Sequence, residues 1–258
     1  KAAHGRGMAV YVLALMSSVA VLAAYDRFLI GILVQDIKAD LHLSDGQIGL
    51  KTGLGFALVY SLLAVPVARI SDRGHRVPVL AWSVLLWSAM TAICGLAASF
   101  PLLLLARIGV GVGEAGCIPT MQAILSDRFR GRWRATAITI VMVAGGAGTT
   151  IASLGGGWLA DHWGWRSAFL VGAAPGPLLA LLLWWTLQKR PSSVPAAVAP
   201  VATITTRRAL SILWGVPSLR LLYVGYGLGA MSVYAGLAWV PAYLMRTYHL
   251  TAGEVGAS

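Results

Sequence analysis

Charge is scarce in this chain of 258 residues: Asp, Glu, Lys and Arg make up 11%, while hydrophobic residues make up 58% and the mean hydropathy is +0.76. A soluble fold of this size would have too little polar surface, so a free-standing water-soluble domain is excluded. Acids are scarcer still, nine against 20 basic residues. Cysteine is almost missing, and Cys94 and Cys117 both fall within apolar runs, which excludes a disulfide framework and leaves packing as their role. His and Cys never cluster at metal-ligand spacing, and no nucleophile motif occurs. The expectation is therefore no cofactor, no metal and no catalytic residue. The apolar runs also lack the period-2 alternation of barrel strands, the other way to cross a bilayer.

What the chain does have is uncharged runs of spanning length: Gly7 to Tyr25, Thr52 to Ala68, Val77 to Ala106, Ala135 to Ala160, Ser167 to Gln188 and Leu221 to Met245. A spanning helix needs roughly 20 residues. A seventh run, Leu102 to Leu125, is interrupted only by Arg107 and Glu114. The pattern predicts seven helices, near Met8 to Val34, Gln47 to Ile70, Val77 to Ala98, Leu102 to Leu125, Ala135 to Ala160, Ser167 to Leu187 and Leu219 to Met245.

A net charge of +11 invites a nucleic-acid reading, and the positions of the charges exclude it. Basic residues gather at alternate junctions: Lys1 and Arg6; Arg69, Arg73 and Arg76; Arg128, Arg130, Arg132 and Arg134; Lys189, Arg190, Arg207, Arg208 and Arg220. The other junctions hold only Lys38, Lys51, Arg166 and Arg246. Positive residues stay inside, so the N-terminus is expected in the cytoplasm. Lys1 to Ala24 has the outline of a secretory signal, yet its apolar pattern continues to Ile32, and it supplies one of the alternating crossings.

Between Lys189 and Arg208 the composition shifts to Pro, Ala, Val, Ser and Thr, as in a linker. Across it a repeat is visible: His42-Leu43-Ser44-Asp45-Gly46-Gln47-Ile48-Gly49 matches His249-Leu250-Thr251-Ala252-Gly253-Glu254-Val255-Gly256. Both copies fall at the outer entry of an even-numbered helix, which reads as a duplicated half. Residues 1–190 are thus expected to form a six-helix N-terminal bundle, 191–216 a cytoplasmic linker, and 217–258 the start of a C-terminal bundle. The second half stops as its second helix begins, so the chain is expected to be a fragment, with about five helices to come if each half holds six.

Charges inside the spans carry the functional signal. A charge near the bilayer centre costs about 2.5–3.5 kcal/mol on insertion scales, so Asp26, Arg27, Arg107 and Glu114 need partners. Arg107 and Glu114 lie two turns apart and share a face, whereas Asp26 and Arg27 point about 100° apart. A packing network between helices 1 and 4 is one reading. The other is a proton and substrate site, where a carboxylate beside an arginine changes its proton affinity when that partner moves. This second reading requires Asp26 and Glu114 to meet in a hollow that water can reach. Gly111-Val112-Gly113-Glu114-Ala115-Gly116 spells the dinucleotide fingerprint, but no strand precedes it and no acid follows about 20 residues on. Close helix approach explains those glycines better. Pro175-Gly176-Pro177 predicts a kink or hinge in helix 6.

Two sets of motifs resemble known families. Ala68-Arg69-Ile70-Ser71-Asp72-Arg73-Gly74-His75-Arg76, in the turn between helices 2 and 3, resembles the Gly-x-x-x-Asp-Arg-x-Gly-Arg turn of the major facilitator superfamily. That resemblance implies a role for Asp72, Arg73 and Arg76 in latching the two halves on the inner face. Gly164-Trp165-Arg166-Ser167-Ala168-Phe169 looks like the same superfamily. Tyr25-Asp26-Arg27-Phe28, Ala106-Arg107 with Gly111 to Ala115, and Gly225-Tyr226-Gly227-Leu228-Gly229-Ala230 resemble the Spinster family of lipid transporters. Lys51 departs from what that family leads one to expect.

The resemblance implies an all-α membrane protein with a twelve-helix major facilitator superfamily fold. It also implies a bacterial homologue, a multi-pass monomer in the inner membrane, moving a lysophospholipid or sphingolipid-like amphiphile with protons. Asp26 and Glu114 then become the protonatable pair, and Arg27 and Arg107 their partners or headgroup ligands. A carrier for a small organic anion or drug is the nearest alternative, a membrane-embedded lipid-modifying enzyme a more distant one, and a seven-helix receptor the weakest.

Overall fold

The computed structural model describes residues 2–49, 56–187 and 206–257, and among them all regular structure is helical. Six helices are long and apolar enough to cross a membrane: Gly7–Ile32, Arg76–Gly95, Phe100–Arg128, Arg132–Trp163, Trp165–Leu187 and Pro217–Tyr248. A shorter apolar helix, Leu58–Ile70, adds a seventh. The runs read from the sequence are largely helical over their described residues, the run Val77 to Ala106 being divided by the turn at 96–99, and Lys51 and most of the Lys189 to Arg208 linker lie outside the described residues.

Chain order runs α1 (Ala2–Ile32), α2 (Val34–Asp40), α3 (Asp45–Gly49), α4 (Phe56–Ile70), α5 (Arg76–Gly95), α6 (Phe100–Glu114) and α7 (Cys117–Arg128). There follow α8 (Arg132–Ile151), α9 (Gly157–Trp163), α10 (Trp165–Ala173), α11 (Pro175–Leu187), α12 (Thr206–Gly215), α13 (Pro217–Tyr248) and α14 (Ala252–Ala257). Several expected helices are therefore broken. The fourth parts at Ala115–Gly116, where Pro119 supplies no N–H to the carbonyl four residues back. The sixth parts at Ala174, beside Pro175 and Pro177, at the expected kink. The fifth widens over Ala152–Gly156, and the first ends at Ile32 rather than Val34.

Small residues let the helices close up. A side chain at Gly113 would meet the Trp87 backbone nitrogen at 2.7 Å, so α6 touches α5 there backbone to backbone. Gly148 does the same for α8, against the Val21 carbonyl of α1. The glycines that spell a nucleotide fingerprint thus serve helix contact. Around these contacts α1 packs along α8, α5 lies between α6 and the pair α10 and α11, and α4 leans on α6. Cys94 and Cys117 are buried free thiols.

The repeated octapeptide folds alike in both copies. His42 and His249 take the left-handed conformation, with φ of 50° and 56°. Ser44 and Thr251 then open α3 and α14 with reciprocal caps. The Ser44 backbone N–H donates to Gln47 Oε1 at 2.9 Å, and that of Thr251 to Glu254 Oε2 at 2.8 Å.

Helix α13 touches the bundle at one end. Ala242 and Met245 are buried, whereas Leu221, Tyr226 and Met231 are more than 70% exposed. Its buried end meets the acid-rich face of the bundle, which carries Asp36, Asp40, Asp45 and Asp161. Arg69, Arg76 and Arg128 lie at the other end of the bundle.

Candidate functional site

Four charges meet in the middle of the bundle, in crossed pairs. Arg107 Nη1 donates to Asp26 Oδ2 at 2.9 Å, and both side chains are 2% exposed. Arg27 Nε donates to Glu114 Oε2 at 2.6 Å, with Glu114 fully buried and Arg27 24% exposed. Two adjacent residues of α1 therefore reach two residues of α6 that are seven apart, as their angular separation on α1 allows. Thr91 of α5 adds a hydrogen bond to Asp26 Oδ1 at 2.8 Å. Asp26 has both oxygens engaged, while Glu114 Oε1 has no hydrogen-bond partner among the described residues. Buried ions cost several kcal/mol each, and pairing them answers that penalty.

The sequence placed these four residues together but left the pairing open. Both carboxylates are shut inside the bundle, so neither lines an open hollow here. Arg27 is the member that stays partly exposed: its guanidinium lies over the Tyr60 ring of α4 at 5.2 Å, and Tyr234 of α13 is within electrostatic range. Cation–π contact of this kind holds an arginine beside an aromatic face without removing its donors. Tyr25 fixes the α1 backbone at this level, its hydroxyl donating to the Ala168 carbonyl of α10 at 3.0 Å.

On the basic face the turn Ser71–His75 is wide, with Gly74 at φ 96°. Arg76 pairs with Asp127 at the end of α7, within the same bundle, and Asp72 is exposed. Arg73 lies in the same turn.

The acid-rich face holds a second cluster that the sequence reading missed. Arg246, in the last turn of α13, grips both oxygens of Asp45 at 2.6 and 3.2 Å and donates to Gln35 Oε1 at 3.0 Å. Lys38 Nζ donates to Asp45 at 2.7 Å. Arg246 and Lys38 hold the Asp45 carboxyl down to about 2. Asp161 Oδ2 accepts from Thr251 Oγ1 and from the Gly253 backbone N–H, both at 2.9 Å, so it caps the first turn of α14. Burial and then the charge of Asp161 push the Asp36 carboxyl up. Arg166 binds Asp40 at 2.8 Å and the Ala97 carbonyl at 3.2 Å, and holds Asp40 below the usual carboxylate range. The available signal was topological: Lys38, Arg166 and Arg246 are cations where basic residues are rare. Thr91 could have been found as a polar residue within an apolar run.

Comparison with known proteins agrees with this layout. Residues 16–258 match the family profile described as Major Facilitator Superfamily. An "MFS-type efflux pump" of Mycolicibacterium smegmatis is 36% identical over 98% of this chain and 58% of its own length. "Protein spinster homolog 1" of Xenopus tropicalis is 28% identical over 86% of the chain and 43% of its own length. A crystal structure of a bacterial homolog to the human lysosomal transporter Spinster, inward-facing and unoccupied, superposes with a TM-score of 0.84 at 34% identity, covering 96% of this chain and 58% of that one. The chain thus spans about half the length of these relatives.

Proposed function

Because this chain belongs to the Major Facilitator Superfamily, and is an integral membrane protein by its spans, we propose that it forms one bundle and the opening of a second in a secondary carrier. The carrier works by alternating access, with its site between the halves. The observation that supports this reading is the crossed quartet of Asp26, Arg27, Arg107 and Glu114: its carboxylates are closed in here, and Arg27, 24% exposed between α4 and α13, is the member through which water would have to reach them.

In the cycle we envisage, a proton reaching Glu114 or Asp26 weakens its hold on Arg27 or Arg107, and the released guanidinium engages an anionic headgroup. The substrate class is a lysophospholipid or sphingolipid-like amphiphile, on the likeness to Spinster homologues. The N-terminus and basic face lie on the cytoplasmic side of a bacterial inner membrane. Asp72, Arg73 and Arg76 latch the two halves on that face, and the carrier acts as a monomer. A small organic anion or drug is the second reading, favoured by the efflux pump at 36% identity.

The complete protein with Glu114→Gln, reconstituted in vesicles, is expected to lose its response to an imposed pH gradient. Unchanged proton-driven transport removes Glu114 from the cycle. Native mass spectrometry of the purified protein separates the substrate readings: a co-purified lipid supports the amphiphile, and its absence supports the small anion.

A further inference from the structure

Helix α12 lies within the segment read from the sequence as linker, and its packing partner is the start of α13. At about 100° per residue, Ala209, Leu210 and Leu213 fall on one side, with Arg207, Arg208, Ser211 and Gly215 opposite and Trp214 and Ile212 at the two borders. The apolar side and its border are open: Leu210 is 60% exposed and Trp214 61%. Gly215 is followed after one residue by Pro217, the first residue of a membrane-spanning helix, so α12 is tethered where that span leaves the bilayer. Arg220, one turn into α13, is exposed at the same level.

Along the chain on either side of this helix the charge has one sign. From His162 to Gly253 the sequence contains no acidic residue, so no carboxylate in that stretch can answer Arg208 or Arg220. An apolar side bordered by a tryptophan, a cationic polar side and a tether at the membrane boundary together define an interfacial helix.

We propose that α12 lies flat in the bilayer surface on the basic face, with Leu210, Leu213 and Trp214 at the acyl boundary and Arg208 and Arg220 on anionic lipid headgroups. Each arginine held at an anionic surface strengthens such attachment by about fivefold. A lipid surface rather than a protein partner follows from the depth set by Pro217 and from the unbroken positive charge.

Spin labels test the placement in the complete protein carrying Cys94→Ala and Cys117→Ala. One label is attached at Leu213→Cys and, separately, one at Arg208→Cys, in vesicles of phosphatidylcholine with or without a quarter phosphatidylglycerol. The Leu213 label is expected to collide with oxygen and avoid a water-soluble nickel complex, and the Arg208 label to do the reverse. Phosphatidylglycerol should draw the Leu213 label deeper, and Arg208→Gln with Arg220→Gln should abolish that shift. Free nickel access to the Leu213 label in both lipids overturns the proposal. Shielding of that label from both reagents also overturns it, because another segment of protein then covers the helix.

Discussion

Replacing Asp26 with Asn leaves the Arg107 guanidinium 2% exposed and without its 2.9 Å anion. Removing one partner of a buried pair costs about 3–5 kcal/mol, because the remaining charge stays desolvated. Thr91 can still donate to the Asn oxygen, which retains about 1 kcal/mol of the original network. The net loss is therefore about 2–4 kcal/mol, and for a chain of this size each kcal/mol moves the thermal midpoint by roughly 2–4 °C. Buried Cys94 and Cys117 provide the readout, since a thiol-reactive fluorophore reaches them only on unfolding. In detergent the midpoint of Asp26→Asn is expected to fall by about 5–15 °C. Adding Arg107→Gln removes the orphaned charge and should restore most of that loss, as neutral replacements of whole buried pairs do. A fall of under about 2 °C, or a double variant no more stable than Asp26→Asn alone, refutes the assignment of a desolvated pair.

Three further outcomes follow from the packing and the acid-rich face. Gly113→Ala drives a methyl into Trp87 and should cost about 1–3 kcal/mol by the same assay, whereas Gly146→Ala, with open space around it, should be close to neutral. Arg246→Ala removes the grip on Asp45 and Gln35; pulsed electron resonance between labels at Ala39→Cys and Thr247→Cys should show a longer and broader distance. Acid acts on this contact in two steps. Asp45 is depressed from 3.8 to about 2, so its share is complete above 3.8 and is lost only as pH falls toward 2. Asp36 is raised and takes up its proton first, relieving repulsion with Asp161, so mild acidification should tighten the same distance and Asp36→Asn should remove the effect.

The number of spans, their order and the four intramembrane charges were legible because hydropathy and charge cost act on single residues. The crossed pairing was not, because it depends on how far α1 is rotated against α6, and no spacing in one helix reports rotation against another. Arg107 and Glu114 announced their shared face; nothing in the sequence announced that the pairs would cross between α1 and α6 instead of closing within each helix. The break at Ala115 was readable in principle from Pro119, and bending near the widened turn at Ala152–Gly156 from the run Gly155 to Gly157, though its packing against α1 and α14 was not. Helix α12 was hidden by the prolines and small residues before it, although its own ten residues alternate in the helical manner. The octapeptide repeat was seen as a duplication, while its role in joining α13 and α14 to the bundle needed the third dimension.

That repeat has diverged at one position with mechanical effect: the first copy carries Asp45 where the second carries Ala252. One flank of the joint is consequently an exposed ion pair to Arg246, and the other is Asp161 seated on the Gly253 backbone amide and the Thr251 hydroxyl, with α14 packed against α9. Dissolved salt screens exposed charges over about 8 Å at physiological strength and leaves packed backbone geometry nearly untouched. Brine therefore slackens the Asp45 flank and spares the Asp161 flank, so that the joint swings like a door on a single hinge instead of lifting off its frame.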